Sequence, residues 1–165
     1  MEIRELRLVD KAVFVDFVVE WQLDTNPFRH LFMLEKAKEL TFEDYLDFIE
    51  ALKIETDDPN HSASATYFAF EKGEMLGMIN CRWQIEKGTL LRTGGHVGYG
   101  IVPSFRGKGL SKKLLAFGLE KCQEHGILEV LICAKEENAA SRHVIEAAGG
   151  VMENVIDGEC RYWVK

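Results

Sequence analysis

The residues best suited to bind a ligand form one short run of glycines and basic side chains. The run comprises Arg106, Gly107, Lys108, Gly109, Leu110 and Ser111. Its two glycines let the backbone approach a ligand closely, and the apolar spacing after them predicts that a helix begins there. The free N–H groups and the dipole at a helix N-terminus favour a phosphate group. Because Arg106 and Lys108 add positive charge, this run predicts a pyrophosphate-binding loop.

Two common kinds of phosphate loop do not match this run. A Walker loop needs a glycine five residues before Gly107, where the chain has Val102. A dinucleotide-binding fingerprint that begins at Gly107 needs a glycine at its sixth position, where the chain has Lys112. A nucleotide-binding protein is therefore only a weak alternative.

A third kind of loop fits the pattern better. Arg106-x-x-Gly109-x-Ser111 resembles the R/Q-x-x-G-x-G/A pyrophosphate loop of the GNAT superfamily of acyl-CoA-dependent N-acyltransferases. Ser111 replaces the usual glycine or alanine with another small residue. Residues 138–150 are similar to the second motif of that family, a helix that begins at asparagine and ends in glycine. Together the two motifs cover about residues 95–150 of the chain.

The resemblance implies an acetyltransferase with acetyl-CoA as its co-substrate. It implies direct transfer of the acetyl group to a primary amine of a small molecule or peptide, without an acyl-enzyme. It also places the pantetheine arm against the backbone of Ile101 and Val102 and near Asn138 and Ser141. The cofactor-binding residues expected on this basis are Ile101, Val102, Arg106, Gly107, Lys108, Gly109, Leu110, Ser111, Asn138 and Ser141. The sequence does not identify the acceptor amine.

The acid and the base of such a reaction are less clearly marked. Many members of the family carry a tyrosine in the second motif as the general acid for the departing thiolate, but the corresponding residue here is Ile145. Tyr99, Tyr162, a water molecule or bulk solvent could protonate the thiolate instead. An amine must also lose a proton before it attacks, and His96 is the candidate base because an imidazole titrates at about pH 6.5. His96 and Tyr99 are thus the candidate catalytic residues, and a purely structural histidine is the alternative for His96.

Other functions have less support in the sequence. Because the usual tyrosine is absent, a non-catalytic acyl-CoA-binding or sensory module is the main alternative. No G-x-S-x-G sequence supports a hydrolase. The four cysteines form no C-x-x-C pair and no histidines pair at metal-binding spacing, so no metal is expected. The net charge of −7 argues against nucleic acid as a partner.

The chain length of 165 residues fits one domain with one core. No apolar run approaches the roughly 18 residues that cross a bilayer, and the first residues do not resemble a signal peptide. A cytoplasmic protein without a membrane partner is therefore expected. The sequence leaves open whether two copies associate as a homodimer.

The elements that position the loop follow from the apolar spacing. Their order is a strand, helices, three strands, a helix, a strand, a helix and two strands. A capping-box-like start at Thr41 marks one helix, and Asp157-Gly158 marks the turn of the last hairpin. This order predicts a single α/β (α+β) domain over residues 1–165, with a mixed, mostly antiparallel sheet of about seven strands flanked by helices. By the resemblance, it is a GNAT-like acyl-CoA N-acyltransferase fold.

Overall fold

The computed structural model describes residues 1–165 and contains seven strands and five α-helices. The strands are β1 (Glu2–Arg4), β2 (Ser64–Glu71), β3 (Glu74–Arg82), β4 (Val97–Ile101), β5 (Val130–Lys135), β6 (Val151–Ile156) and β7 (Glu159–Val164). The helices are α1 (Lys11–Gln22), α2 (Phe32–Glu39), α3 (Phe42–Ala51), α4 (Leu110–Glu124) and α5 (Ala139–Ala147). The predicted α/β order of about seven strands flanked by helices is confirmed.

All strand pairs are antiparallel, and their hydrogen bonds define two sheets. The first has the order β1-β2-β3-β4 and the second β5-β7-β6. The sequence does not reveal this division between β4 and β5. The last hairpin turns at Asp157-Gly158, where φ is 51° and 76°. Two positive φ values are what a type I′ turn requires, so the predicted turn is confirmed.

Helices cover both faces of the sheets, and each face has its own core. On one face α4 and α5 bury Leu114, Leu115 and Ile145 completely. On the other face α1, α2 and α3 enclose aromatic side chains, among them Phe14 and Tyr45, whose ring centroids lie 5.2 Å apart. β4 is therefore held between two packed layers. None of the helices combines the length and the apolar character needed to span a bilayer.

Local sequence signals determine where the helices begin. The Thr41 hydroxyl accepts a hydrogen bond from the Asp44 N–H at 3.1 Å, which confirms the predicted start of α3. The Asn138 side chain accepts one from the Ser141 N–H at 3.2 Å and starts α5 in the same way. α4 differs, because Gly109 precedes it without any side-chain cap.

β4 and β5 meet at only one end. Gly95 and Ile132 form an isolated bridge, and the His96 N–H donates to the Leu131 carbonyl at 2.8 Å. Beyond these contacts no ladder joins the two strands. They leave an open gap, and the candidate site lies in it.

Candidate active site

A cavity of about 370 Å³, here termed the loop pocket, lies between the end of β4, the loop that follows and α5. It brings together eight of the ten predicted cofactor-binding residues. These are Ile101, Arg106, Gly107, Gly109, Leu110, Ser111, Asn138 and Ser141. Val102 and Lys108 are not part of its wall.

The glycines give the loop the shape of an anion site. Gly107 and Gly109 have φ of 77° and 74°, which glycine adopts without strain. A Cβ atom at either position would meet no other atom within 4 Å, so the space above them is open. Since Gly109 is followed by the uncapped first turn of α4, the first N–H groups of that helix have no partner within it. The geometry of the loop is therefore suited to an anion such as the predicted pyrophosphate.

The lysines of this region are placed differently from one another. Lys112 lines the loop pocket. Lys108 instead lies with its Nζ atom 5.1 Å from the centroid of the Phe105 ring. Lys108 thus adds charge to the loop while its side chain packs on an aromatic ring.

Arg106 does not offer a free guanidinium to a ligand. Its Nη2 and Nη1 atoms donate to the two carboxylate oxygens of Asp24 at 2.6 and 3.1 Å, and its Nε donates to the Ile101 carbonyl at 2.9 Å. The sequence interpretation, in which Arg106 simply adds positive charge, is corrected by this ion pair. The side chain ties the loop to the segment after α1.

The backbone of β4 also differs in part from expectation. The Val102 N–H donates to the Leu76 carbonyl at 2.9 Å, so it is occupied by β3 and is not free for a pantetheine arm. In an antiparallel ladder, every second residue directs its backbone N–H and C=O groups to the neighbouring strand. In the β3–β4 register, the backbone groups of Gly98 and Gly100 therefore also point toward β3. The N–H groups of Tyr99 and Ile101 face away from β3, into the gap.

A second cavity of about 340 Å³, here termed the gap pocket, lies between β4 and β5. Its walls include Gly98 and Tyr99 of β4, Cys133 and Lys135 of β5, Glu159 of β7, Glu137, and Pro27, Phe28, His30 and Leu31 from the segment between α1 and α2. The Lys135 Nζ lies 3.9 Å from a Glu159 carboxylate oxygen, whereas Glu137 forms no ion pair. Burial raises the pKa of Cys133 to about 11, so this thiol is protonated at neutral pH.

Tyr99 stands at the junction of the two pockets. Its hydroxyl lies 3.1 Å from the Ser141 Oγ atom of α5, and both residues line both cavities. Burial raises the pKa of the Tyr99 phenol, and the hydrogen bond with Ser141 opposes this effect only in part. Tyr99 is thus a protonated hydroxyl at neutral pH, placed where the two pockets meet.

His96 lies outside both pockets. It is buried, and its Nδ1 atom accepts a hydrogen bond from the Leu131 N–H at 2.9 Å. Burial, with the nearby Arg82 charge, lowers the pKa of His96 to about 4. The imidazole acts as a neutral acceptor that holds β4 and β5 together where the gap begins. This placement favours the structural alternative for His96 over the predicted base.

Ile145, at the position of the usual tyrosine, is fully buried in the core beneath α5. The loop pocket also includes Trp21, Phe28 and the exposed His143, together with Asn26 and Leu31, which the sequence did not indicate. No motif marks them, and Pro27 signals only that a loop is present. No group of three or more His, Cys, Asp or Glu side chains is placed to hold a metal ion.

A family model described as "Acetyltransferase (GNAT) family" matches residues 17–149 of the chain. No curated protein sequence matches this chain significantly.

Solved structures share the fold at low sequence identity. PaiA N-acetyltransferase from Thermoplasma acidophilum, in complex with coenzyme A, is 17% identical, with 99% of this chain and 98% of that chain covered and a TM-score of 0.62. YncA from Salmonella typhimurium, with its cofactor acetyl-CoA, is 16% identical, with coverage of 99% and 92% and a TM-score of 0.63. An aminoglycoside acetyltransferase in complex with coenzyme A and kanamycin is 18% identical, with coverage of 99% and 92% and a TM-score of 0.66.

Proposed function

The chain belongs to the acetyltransferase (GNAT) family, and from this premise we propose that it transfers an acetyl group from acetyl-CoA directly to a primary amine of a small molecule or peptide. One observation carries the proposal. The loop pocket, with its glycine loop and uncapped helix start, and the gap pocket share a wall at the Tyr99–Ser141 hydrogen bond. A thioester held on one side can therefore meet an amine held on the other.

The loop pocket is the proposed site for acetyl-CoA. The pyrophosphate binds the N–H groups between Gly107 and Lys112, where the backbone is open and the helix dipole is favourable. Ile101 offers its N–H group to the pantetheine arm or the acetyl carbonyl, since it faces the gap. Asn138 and Ser141 line the opposite wall.

The gap pocket is the proposed site for the acceptor. Among its ionisable side chains, Lys135 and Glu159 largely offset each other, the His30 ring pairs with Glu35, and Glu137 remains unpaired. This excess negative charge attracts the ammonium form of an amine. Aromatic and aliphatic contacts come from Phe28 and Leu31.

The chemistry at the junction requires one new bond and one proton donor. The ammonium first loses one proton to water. The nitrogen–carbon bond then forms as the carbon–sulfur bond breaks, and a second proton passes from nitrogen to water. The Tyr99 hydroxyl supplies a proton to the departing sulfur and regains one from solvent. N–H groups of β4 that face the gap stabilise negative charge on the carbonyl oxygen. Burial keeps the Cys133 thiol protonated, which makes it a poor nucleophile and favours direct transfer.

A non-catalytic acyl-CoA-binding module is the second candidate. The burial of His96 outside the pockets and the presence of Ile145 in place of the usual tyrosine favour it, because His96 cannot accept the proton of the amine there and Ile145 has no proton to donate. Under this alternative the gap pocket takes no acceptor, and Tyr99 only packs against Ser141.

Two measurements test these functions in sequence. Thermal unfolding with acetyl-CoA, CoA, ATP or NADH tests the cofactor, since a ligand at about 100 times its Kd adds about 2.7 kcal/mol of stability. A shift confined to acetyl-CoA and CoA supports the loop pocket assignment, and no shift with either contradicts it. Thiol release with a panel of amines, peptides and aminoglycosides then separates the enzyme from the binding module, because only the enzyme exceeds the hydrolytic background.

A further inference from the structure

The segment between α1 and α2, residues 23–31, forms part of both pockets. Asn26 lines the loop pocket, while Phe28 and Leu31 line both cavities. The segment lies outside the sheets, so no strand ladder fixes its shape. Its conformation depends on local turns and on side-chain hydrogen bonds.

A continuous chain of hydrogen bonds runs from the pyrophosphate loop to Phe28. Arg106 donates to both oxygens of Asp24, at 2.6 and 3.1 Å. The Asp24 Oδ1 atom accepts from the Asn26 N–H at 3.0 Å, and the Asn26 side chain accepts from the Phe28 N–H at 2.8 Å. The Asp24 side chain thus fixes the backbone at Asn26, and the Asn26 side chain fixes the backbone at Phe28.

The first link of this chain is well shielded from water. The Asp24 side chain is only 5% exposed and that of Arg106 33% exposed. The hydrogen bond with Arg106 lowers the pKa of Asp24, so the carboxylate is charged at neutral pH. A bidentate, charge-assisted pair in such surroundings is strong and directional. Nearby, the Ser104 N–H donates to the Glu20 carboxylate at 2.6 Å, which adds a second tie between α1 and the same loop.

We propose that Asp24 is a positioning residue that couples the two pockets. When CoA occupies the loop pocket, the pyrophosphate loop is ordered, and Arg106 and Asp24 transmit this order to Asn26 and Phe28. The wall of the gap pocket at Phe28 then takes its binding shape. The inference rests on the proposed function, because it requires CoA in the loop pocket. Coupling of this kind is reciprocal, so an acceptor that orders Phe28 tightens CoA binding by the same factor.

Hydrogen–deuterium exchange with and without CoA tests the coupling in the full chain. Exchange is measured in two segments. Residues 104–113 report on the pyrophosphate loop, and residues 23–31 report on the wall of the gap pocket at Phe28. The test variant is Asp24→Asn, which keeps the side-chain volume but removes the charge that Arg106 needs. The matched control is Asp157→Asn, which removes a carboxylate from the exposed pair with Arg92 at 3.1 Å, outside both pockets.

In the unmodified chain and in Asp157→Asn, CoA should slow exchange in both segments about fivefold or more, because bound CoA raises the free energy of local opening. In Asp24→Asn, CoA should still slow exchange in residues 104–113, but its effect on residues 23–31 should be lost. A merely structural role of Asp24 would raise exchange in residues 23–31 while leaving the CoA-dependent ratio unchanged, and that result overturns the proposal. So does an unmodified chain in which only residues 104–113 respond. If neither segment of the unmodified chain responds, the proposed function itself fails and the inference falls with it.

Discussion

The Tyr99 hydroxyl and the Ser141 Oγ atom, 3.1 Å apart, join β4 to α5 across the open gap. This contact is the boundary between the loop pocket and the gap pocket, since both residues line both cavities. A proton held there can reach a ligand in either pocket. The proposed role of Tyr99 is that of the tyrosine that Ile145 replaces in α5.

Replacement of Tyr99 by phenylalanine tests that role. Tyr99→Phe keeps the ring and removes only the proton donor, so kcat for an active amine should fall about 100-fold, within the usual range for general acid catalysis. CoA affinity should not change. Because burial raises the pKa of Tyr99 above 10.0, activity that depends on its proton should be lost only on the alkaline side of that value.

The matched control is Tyr67→Phe. Tyr67 packs its ring on Phe117 at 5.0 Å and lies outside both pockets. Steady-state thiol release and CoA titration give both parameters for each variant. Equal kcat values for the two variants would mean that water or solvent protonates the thiolate.

Gly109→Glu should abolish CoA binding. The substitution places a carboxylate beside the uncapped start of α4, where it would occupy the anion site and repel a pyrophosphate. It also imposes a positive φ on a residue with a side chain, a strain of about 1 to 2 kcal/mol. Calorimetric titration with CoA measures the loss.

Gly126→Glu separates the two effects at the other end of the same helix. Gly126 has φ of 76° and an equally open surrounding, but it lies outside the loop pocket. Its substitution should carry a similar strain and leave CoA affinity intact. Loss of CoA binding in both variants would assign the effect to helix α4 as a whole.

Arg106→Ala should destabilise the fold as well as weaken CoA binding. It leaves the buried Asp24 carboxylate without its partner, at a cost of about 2 kcal/mol. Arg92→Ala, which breaks an exposed pair, should change the free energy of unfolding by less than about 1 kcal/mol. Urea unfolding of both variants makes the comparison, and an equal, small change in both would show that the Asp24 pair adds nothing to stability.

The loss of stability at acid pH gives a second measure of the Arg106–Asp24 ion pair. Because the folded pKa of Asp24 lies below its usual 3.8, its stabilisation is present above pH 3.8 and is lost as the pH falls through the folded value. The hydrogen bond with Arg106 is the main cause of this lowered pKa. The acid-dependent loss of stability should therefore be smaller in Arg106→Ala than in the unmodified chain.

The parts of the fold that were predicted correctly are those that depend on short stretches of sequence. The glycine loop, the start of α3 at Thr41 and the turn at Asp157-Gly158 each depend on residues next to one another. The pairing of Arg106 with Asp24 could not be predicted, because the two residues are brought together only by the packing of α1 against the sheet. The separation of β4 from β5 could not be predicted either, because an apolar pattern indicates that a strand is present but not which strand pairs with it.

His96 shows why a residue type alone did not identify a catalytic base. His96 was the candidate base because an imidazole titrates at about pH 6.5. In the fold the same position is the last contact between β4 and β5, where the Leu131 N–H needs an acceptor. Burial then removes the imidazole from both pockets.

The burial of His96 predicts how stability depends on pH. The pKa of His96 is about 4 in the folded chain against about 6.5 when unfolded, so the unfolded state binds the extra proton between these values. Its contribution to stability is fully present above pH 6.5 and is lost progressively as the pH falls toward 4, by about 3 kcal/mol given 1.36 kcal/mol per pKa unit. Urea unfolding between pH 7 and pH 4 should show this loss in the unmodified chain and a smaller one in His96→Ala. His61→Ala, at a half-buried histidine outside both pockets, should keep the dependence of the unmodified chain. His96→Ala should be less stable at pH 7, because the Leu131 N–H loses its acceptor, but the pH profile of kcat should keep its shape. An inflection in that profile that disappears with His96 would instead return the imidazole to the reaction as a base.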